Sequence, residues 1–192
     1  MTRGARLAVA IGTVAVLAVG IWVAFELAPK RWTTSRPGVA AAIPPAPPPA
    51  PGRKIKARLF YVADDGTKLV GVERDVPFGE GTVAQARQIV EAQLAPAVEP
   101  FVSAVPAGTA VRAIFATDGG ELFVDLSKEI ASAHPGGSMN ETLTVYTLVN
   151  VLTTNLPAVT AVQLLVEGKE VDTLAGHIDL RRPLEKNLAW VQ

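Results

Sequence analysis

The 192-residue chain contains no cysteine, two histidines and no net formal charge. Without cysteine there are no disulfide staples, no thiol nucleophile and no thiolate metal site, and no thiol for lipid attachment. Two isolated histidines fall short of the three or four converging ligands that a zinc site needs. His134 and His177 lie in loop-like sequence, without an i,i+4 partner or a neighbouring run of carboxylates, and are expected to be exposed loop residues. The zero net charge hides an asymmetry. Residues 1–52 carry five Lys/Arg against one acidic residue, whereas residues 53–192 carry 13 Lys/Arg and 17 Asp/Glu. An acidic C-terminal part lacks the basic face that nucleic acid requires, so no nucleic-acid partner is expected.

The strongest positive feature is itself defined by an absence. Leu7–Phe25 holds nineteen residues without a charge. As a helix rising about 1.5 Å per residue it reaches ~28 Å, close to the ~30 Å hydrocarbon core of a bilayer. It predicts a single membrane-spanning helix, with the lipid bilayer as its partner. Arg3 and Arg6 precede it directly, which favours a cytoplasmic N-terminus at residues 1–6 and an extracytoplasmic C-terminal domain. A cleaved signal peptide is the rival, but Phe25-Glu26-Leu27-Ala28-Pro29 offers a poor cleavage site, with proline after the one small candidate. Residues 26–52 read as a linker. Eight of the fifteen prolines fall in Pro29–Gly52, including the run Pro44–Pro51. Such a run lacks backbone donors, prefers polyproline II and acts as a stiff spacer.

Residues 53–192 are long enough for one domain with its own core. Lys54–Tyr61 alternates, with Ile55, Ala57, Leu59 and Tyr61 on one face, and Asp64-Asp65-Gly66 signals a turn into Leu69–Val76. Thr82–Leu94 predicts a helix with capping-box spacing between Thr82 and Gln85, an apolar stripe from Val83 to Leu94, and a solvated face of Gln85, Arg87, Gln88 and Glu91. Ala110–Ala116 and Glu121–Leu126 flank Thr117-Asp118-Gly119-Gly120, a hairpin signal. Ser138–Leu156 is rich in Thr and Val, which favour strands. Its Leu143, Tyr146, Val149, Leu152 and Leu156 nevertheless repeat at helical spacing, and Ser138-x-x-Glu141 has a capping-box pattern. Val159–Val166 predicts a strand, Glu167-Gly168-Lys169 a turn and Val171–Leu174 a short extension. The order β-β-α-β-β-α-β implies an α+β domain: two helices on one face of a mixed or antiparallel sheet of about five strands.

The ordered set Pro106-x-Gly108-Thr109-x-Val111, Asp118-Gly119, Val124-Asp125-Leu126-Ser127, Leu156-Pro157-x-Val159 and Val162-x-Leu164-x-Val166-x-Gly168-Lys169 resembles the GerMN domain family, over roughly Lys54–Leu184. The resemblance implies an anchored, extracytoplasmic, non-enzymatic domain of the bacterial cell envelope. Relatives act in spore envelopes or beside signalling and cell-wall machinery, and their fold is similar to ring-building domains of secretion-like channels. The chain departs from well-known relatives in having one copy and no lipid-attachment cysteine, so the domain type transfers better than a role in sporulation or germination.

No catalytic constellation emerges, and no cofactor or metal is expected. A triad can be written from Ser138, His177 and Asp125, but nothing presents the serine on a strained elbow. Gly136, Gly137 and Ser138 open a helix whose free N–H groups suit a carboxylate or phosphate, and form the candidate anion site. The expected function is a membrane-anchored interaction domain, binding an envelope protein or peptidoglycan, with homo-oligomeric ring assembly as a further expectation. The alternative is an accessory or catalytic component of peptidoglycan hydrolysis, for which Glu121, Asp125 and Glu141 supply the acidic candidates.

Overall fold

The computed structural model describes residues 52–192. The proposed membrane segment Leu7–Phe25 and nearly all of the linker lie outside the described residues. Among those described, no helix is long and apolar enough to cross a membrane.

Strand β1 (Lys54–Val62) pairs antiparallel with β2 (Leu69–Pro77), in a register running from Lys54↔Pro77 to Val62↔Leu69. The turn closes through Gly66 at φ +69°, and the Thr67 amide donates to Asp65 Oδ1 at 2.9 Å. Ala57, Leu59 and Tyr61 are buried as the alternation predicts, but Phe60, on the other face, is fully buried too. The hairpin is therefore packed on both faces at its turn-proximal half.

Strands β3 (Val111–Ala116) and β4 (Glu121–Leu126) form a second antiparallel hairpin. Leu122, Val124 and Leu126 point into the core, each at most 1% exposed. Gly120 turns this hairpin at φ +85°, and a Cβ there would lie 2.6 Å from the Ala158 carbonyl oxygen. Gly120→Ala is expected to lower the unfolding free energy by about 2 kcal/mol or more, because it combines left-handed strain with a backbone clash. Urea denaturation measures it.

Three helices complete the set: α1 (Gly81–Leu94), the single turn α2 (Glu129–Ser132) and α3 (Ser138–Asn155). Strand β5 (Ala161–Val166) returns parallel to β4, and the short β6 (Lys169–Glu170) and β7 (Leu184–Glu185) both pair with its far side. A 3-10 turn at Leu188–Trp190 precedes the C-terminus, where the Gln192 amide donates to the Leu69 carbonyl. The α+β class and element order match the pattern read from the sequence; α2 is an addition between β4 and α3. Val171–Leu174 is not a strand: the extension is confined to Lys169–Glu170.

The expected single sheet is instead two, β1-β2 and β3-β4-β5 with β6 and β7. The physical reason is that the outer edge of β1 is already satisfied. Gln93 of α1 accepts from the Phe60 amide at 2.8 Å and donates to the Phe60 carbonyl at 2.7 Å. Asn155 at the end of α3 does the same for Arg58, with both bonds at 2.8 Å, and the Val62 amide donates to the Val102 carbonyl. No further strand can add there. The expectation of both helices on one sheet face also needs correction. From Glu141 to Thr153 every residue of α3 except Tyr146 is buried, and α3 touches β1, α1, β5 and β7. It lies between the two sheets as the axis of the core. That position explains its composition. Threonine is tolerated in a buried helix when its hydroxyl finds a carbonyl, as Thr153 does with Val149 at 2.7 Å. Asn150 clamps the backbone of Asn187 through two bonds and holds the C-terminal segment on the helix.

Candidate functional site

The head of α3 is where the sequence placed an anion site. Gly137, at φ +86°, is the N-cap residue, and no side chain caps the helix. Gly136 and Gly137 both adopt left-handed backbone, and their carbonyls accept from Asn140 Nδ2 and the Glu141 amide. Ser138 is exposed, and its carbonyl accepts from the Thr142 hydroxyl. Gly137 and Ser138 are thus an exposed entry to the helix, whose first N–H groups lack intrahelical partners as at any helix start, while Gly136 is half-buried with its amide bound to His134.

Glu141 does not complete a capping box. Its side chain is fully buried and turns the other way, to loop 174–177. Oε1 accepts from the Leu174 and Ala175 amides at 2.8 and 2.9 Å; Oε2 accepts from the His177 amide at 2.8 Å and from His177 Nδ1 at 3.1 Å. Burial pushes its carboxyl up, but the Ala175, His177 and Leu174 amides and the His177 ring outweigh burial and hold it below the ordinary glutamate range. His177 is exposed as expected, with Nδ1 committed to Glu141. His134 is not the exposed loop residue expected. It is half-buried, and its ring nitrogens meet the Gly136 amide at 2.9 Å and Thr144 Oγ1 at 3.1 Å.

Asp125, one of the acidic candidates, is held by partners distant in sequence. It is 5% exposed, accepts from the Gly168 amide at 2.7 Å and pairs with Arg112 Nε at 3.3 Å. Arg112 reaches it from a β-bulge: Val111 pairs with Leu126 and Ala113 with Asp125, leaving Arg112 as the extra residue. Bulges re-aim side chains in this way. The same guanidinium meets Glu167 Oε2 at 2.6 Å, and its hydrogen bond holds the Glu167 carboxyl below the usual range. Glu167 itself adopts φ +52° in the β5–β6 turn. Arg112→Ala is expected to cost about 1–3 kcal/mol, since it leaves the Asp125 carboxylate buried with a single donor. Thermal unfolding measures it, and a loss under 0.5 kcal/mol would show that water replaces the guanidinium.

The three acidic candidates are not brought together. Asp125 is tied to Arg112 and Gly168, Glu141 to loop 174–177, while Glu121 sits in β4 opposite Ala161 of β5. Nor do Ser138, His177 and Asp125 assemble, because His177 faces Glu141 instead. Among the described residues no group of three His, Asp or Glu side chains could hold a metal ion. Exposed apolar side chains are scattered, with Phe115 on β3 at 58% and Val98 at 70% in the loop after α1. Sequence reasoning missed Gln93, which recurs at helical spacing with Ala86, Ile89 and Val90. A polar residue in the core stripe was the available signal. It also misassigned Gln85 to a solvated face: Gln85 is buried, accepts from the Gly79 amide and donates to the Pro77 carbonyl, while Val83 is exposed.

Two sheets enclosing a buried helix, with the clustered ionisable groups committed to internal partners, define a small α+β domain. The chain belongs to the Germane family, described as sporulation and spore germination, whose model matches residues 58–172. Solved structures share the fold. A presumptive lipoprotein from Clostridium perfringens matches at 20% identity and TM-score 0.50, over 69% of this chain and 88% of that one. The first GerMN domain of the sporulation protein GerM from Bacillus subtilis matches at 18% identity and TM-score 0.51, over 68% of this chain and 97% of that one. In the tandem GerMN structure from the same protein, the match covers 71% of this chain and 46% of that one, at 18% identity and TM-score 0.51. Among curated proteins none matches.

Proposed function

We propose that this chain is a tethered interaction module of the bacterial envelope: a single-pass protein whose GerMN-type domain stands outside the cytoplasmic membrane and docks a partner protein or peptidoglycan without catalysing a reaction. The observation that carries this reading is the uncharged nineteen-residue Leu7–Phe25 run, followed by the proline-rich spacer and then a domain of this family. The internal commitment of Glu141 and Asp125 supports binding rather than glycan hydrolysis by a carboxylate pair, since that route needs two free acidic groups flanking one cleft. The surfaces offered to a partner are the exposed part of the five-stranded sheet around Phe115 and the loop at Gly136–Gly137. Self-assembly through lateral contacts belongs to the same reading.

The test has two arms. Protease added to intact spheroplasts should digest the C-terminal domain of a membrane-fractionating chain, and a photocrosslinking residue at Phe115 should capture a defined envelope protein, glycan or second copy. Full-length product in the cytosolic fraction overturns the placement. Absence of any adduct from Phe115, together with none from Gly137, overturns the docking role.

A further inference from the structure

His134 has both ring nitrogens engaged, and the geometry fixes its protonation. The Gly136 amide donates to Nδ1 at 2.9 Å, so Nδ1 carries a lone pair and the proton of the neutral ring lies on Nε2. Nε2–H then donates to Thr144 Oγ1 at 3.1 Å, and that hydroxyl donates to the Ala104 carbonyl at 2.6 Å. Thr144 is fully buried, and its hydroxyl has one proton to give. The chain of bonds therefore runs in one direction, from the Gly136 amide to the Ala104 carbonyl. One imidazole ties the Gly136 loop to α3 and, through Thr144, to the Ser103–Pro106 segment.

We infer that His134 is a proton-operated latch, closed when the ring is neutral and releasing the Gly136–Gly137 loop when it is protonated. An imidazolium carries N–H at both nitrogens, so protonation sets two donors against each other across 2.9 Å at Gly136. The Nε2–H bond to Thr144 survives, which confines the release to the Gly136 side. The loop has room to respond: a Cβ at Gly136 would meet nothing within 4 Å. Charged neighbours do not rescue the imidazolium. Lys128, the N-cap residue of α2, is a cation and offers an imidazolium no counter-charge. The Glu129 carboxylate of α2 is turned to the Ser127 hydroxyl, and Glu141, the one charged residue of α3, is held by loop 174–177. Ser103–Pro106 carries no charge. His177 has the opposite character. Its Nδ1–H already faces a carboxylate, and a second proton on its exposed ring leaves that bond intact.

Histidine is the side chain that ordinarily changes charge across ambient pH, and a domain outside the cytoplasmic membrane meets ambient pH directly. That physiological sense rests on the proposed placement; the latch itself does not, and the test below is independent of it.

The full chain in detergent micelles, labelled with 15N at glycine and histidine, is titrated from about pH 8 to about pH 5, the span over which histidine ordinarily changes charge. The neutral His134 ring should carry its proton on Nε2, and the Gly136 amide resonance should move with the same midpoint as the His134 ring, losing its hydrogen-bonded shift. In His134→Asn, whose Oδ1 can accept the Gly136 amide without titrating, the Gly136 resonance should hold its position throughout. In His177→Gln the Gly136 titration should persist unchanged, which keeps the test decisive if His134→Asn fails to fold. A neutral His134 protonated on Nδ1, a Gly136 resonance that stays put while the His134 ring titrates, or one whose titration disappears in His177→Gln overturns the latch.

Discussion

Glu141→Ala is expected to lower the unfolding free energy by about 3–5 kcal/mol. The side chain is fully buried and is the common acceptor for three backbone amides and one ring N–H of loop 174–177. Removing it leaves the Leu174 amide buried without a partner, and Leu174 and Leu180 lose the anchor that seats their segment on the core. Glu141→Gln keeps one acceptor oxygen but turns an NH2 group toward donors, so a smaller loss of about 2–3 kcal/mol is expected. The pH dependence separates this account from simple loss of packing. The Glu141 carboxyl lies below its ordinary value near 4.5 in the folded chain. A group held low in the folded state stabilises fully above its unfolded value, and that contribution disappears as the pH falls through the folded value. The difference between wild type and Glu141→Gln should therefore be constant near neutrality and shrink below about pH 4. Urea denaturation of both proteins at several pH values measures it; a difference that stayed constant into the acid range would mean that the charge on Glu141 contributes nothing.

Gln93→Leu is expected to cost about 2–5 kcal/mol although it puts a larger apolar surface into the core. The reason is that Gln93 satisfies both backbone groups of Phe60, and both residues are fully buried. Each orphaned buried group costs about 1–3 kcal/mol, and leucine supplies neither donor nor acceptor. Asn155→Ala, which removes the equivalent pair of bonds at Arg58, should cost about 1 kcal/mol, because those groups lie where water can replace the amide. The same pair of backbone bonds at unequal exposure makes the comparison informative, and Asn155 loses a further bond to the Val151 carbonyl besides: equal losses at the two positions would show that exposure does not set the penalty. A second consequence follows for Gln93→Leu. The edge of β1 becomes open to another strand, and unblocked edges promote association. Light scattering should therefore show concentration-dependent growth in this variant and not in Asn155→Ala.

Both effects arise at residues whose chemistry was visible in the chain and whose roles were not. Local pattern was enough for the elements. Alternation at Leu122, Val124 and Leu126, the Asp118-Gly119-Gly120 turn and the helical repeat through Leu143, Val149 and Leu152 each involve residues close in sequence, where backbone geometry and side-chain period suffice. The repeat outweighed the strand preference of Thr and Val in α3 because burial on all sides makes apolar periodicity count for more than intrinsic propensity. The uncharged run and the proline-rich segment lie outside the described residues, and their reading as anchor and spacer rests on composition alone. What the sequence by itself determined is thus the element order, the α+β class and the family resemblance.

Tertiary structure decided how the strands divide into two sheets, that α3 runs between them, and where each polar side chain spends its hydrogen bonds. Glu141 looked like a helix cap because Ser138 precedes it by three residues, yet the loop that claims it lies 33 to 36 residues away. Gln93 reaches a strand 33 residues upstream, and Asn155 one 97 residues upstream. Such pairings are set by which backbone groups the packed core leaves unsatisfied. No local window of sequence contains that information, because the donor and its acceptor meet only after the helices have docked.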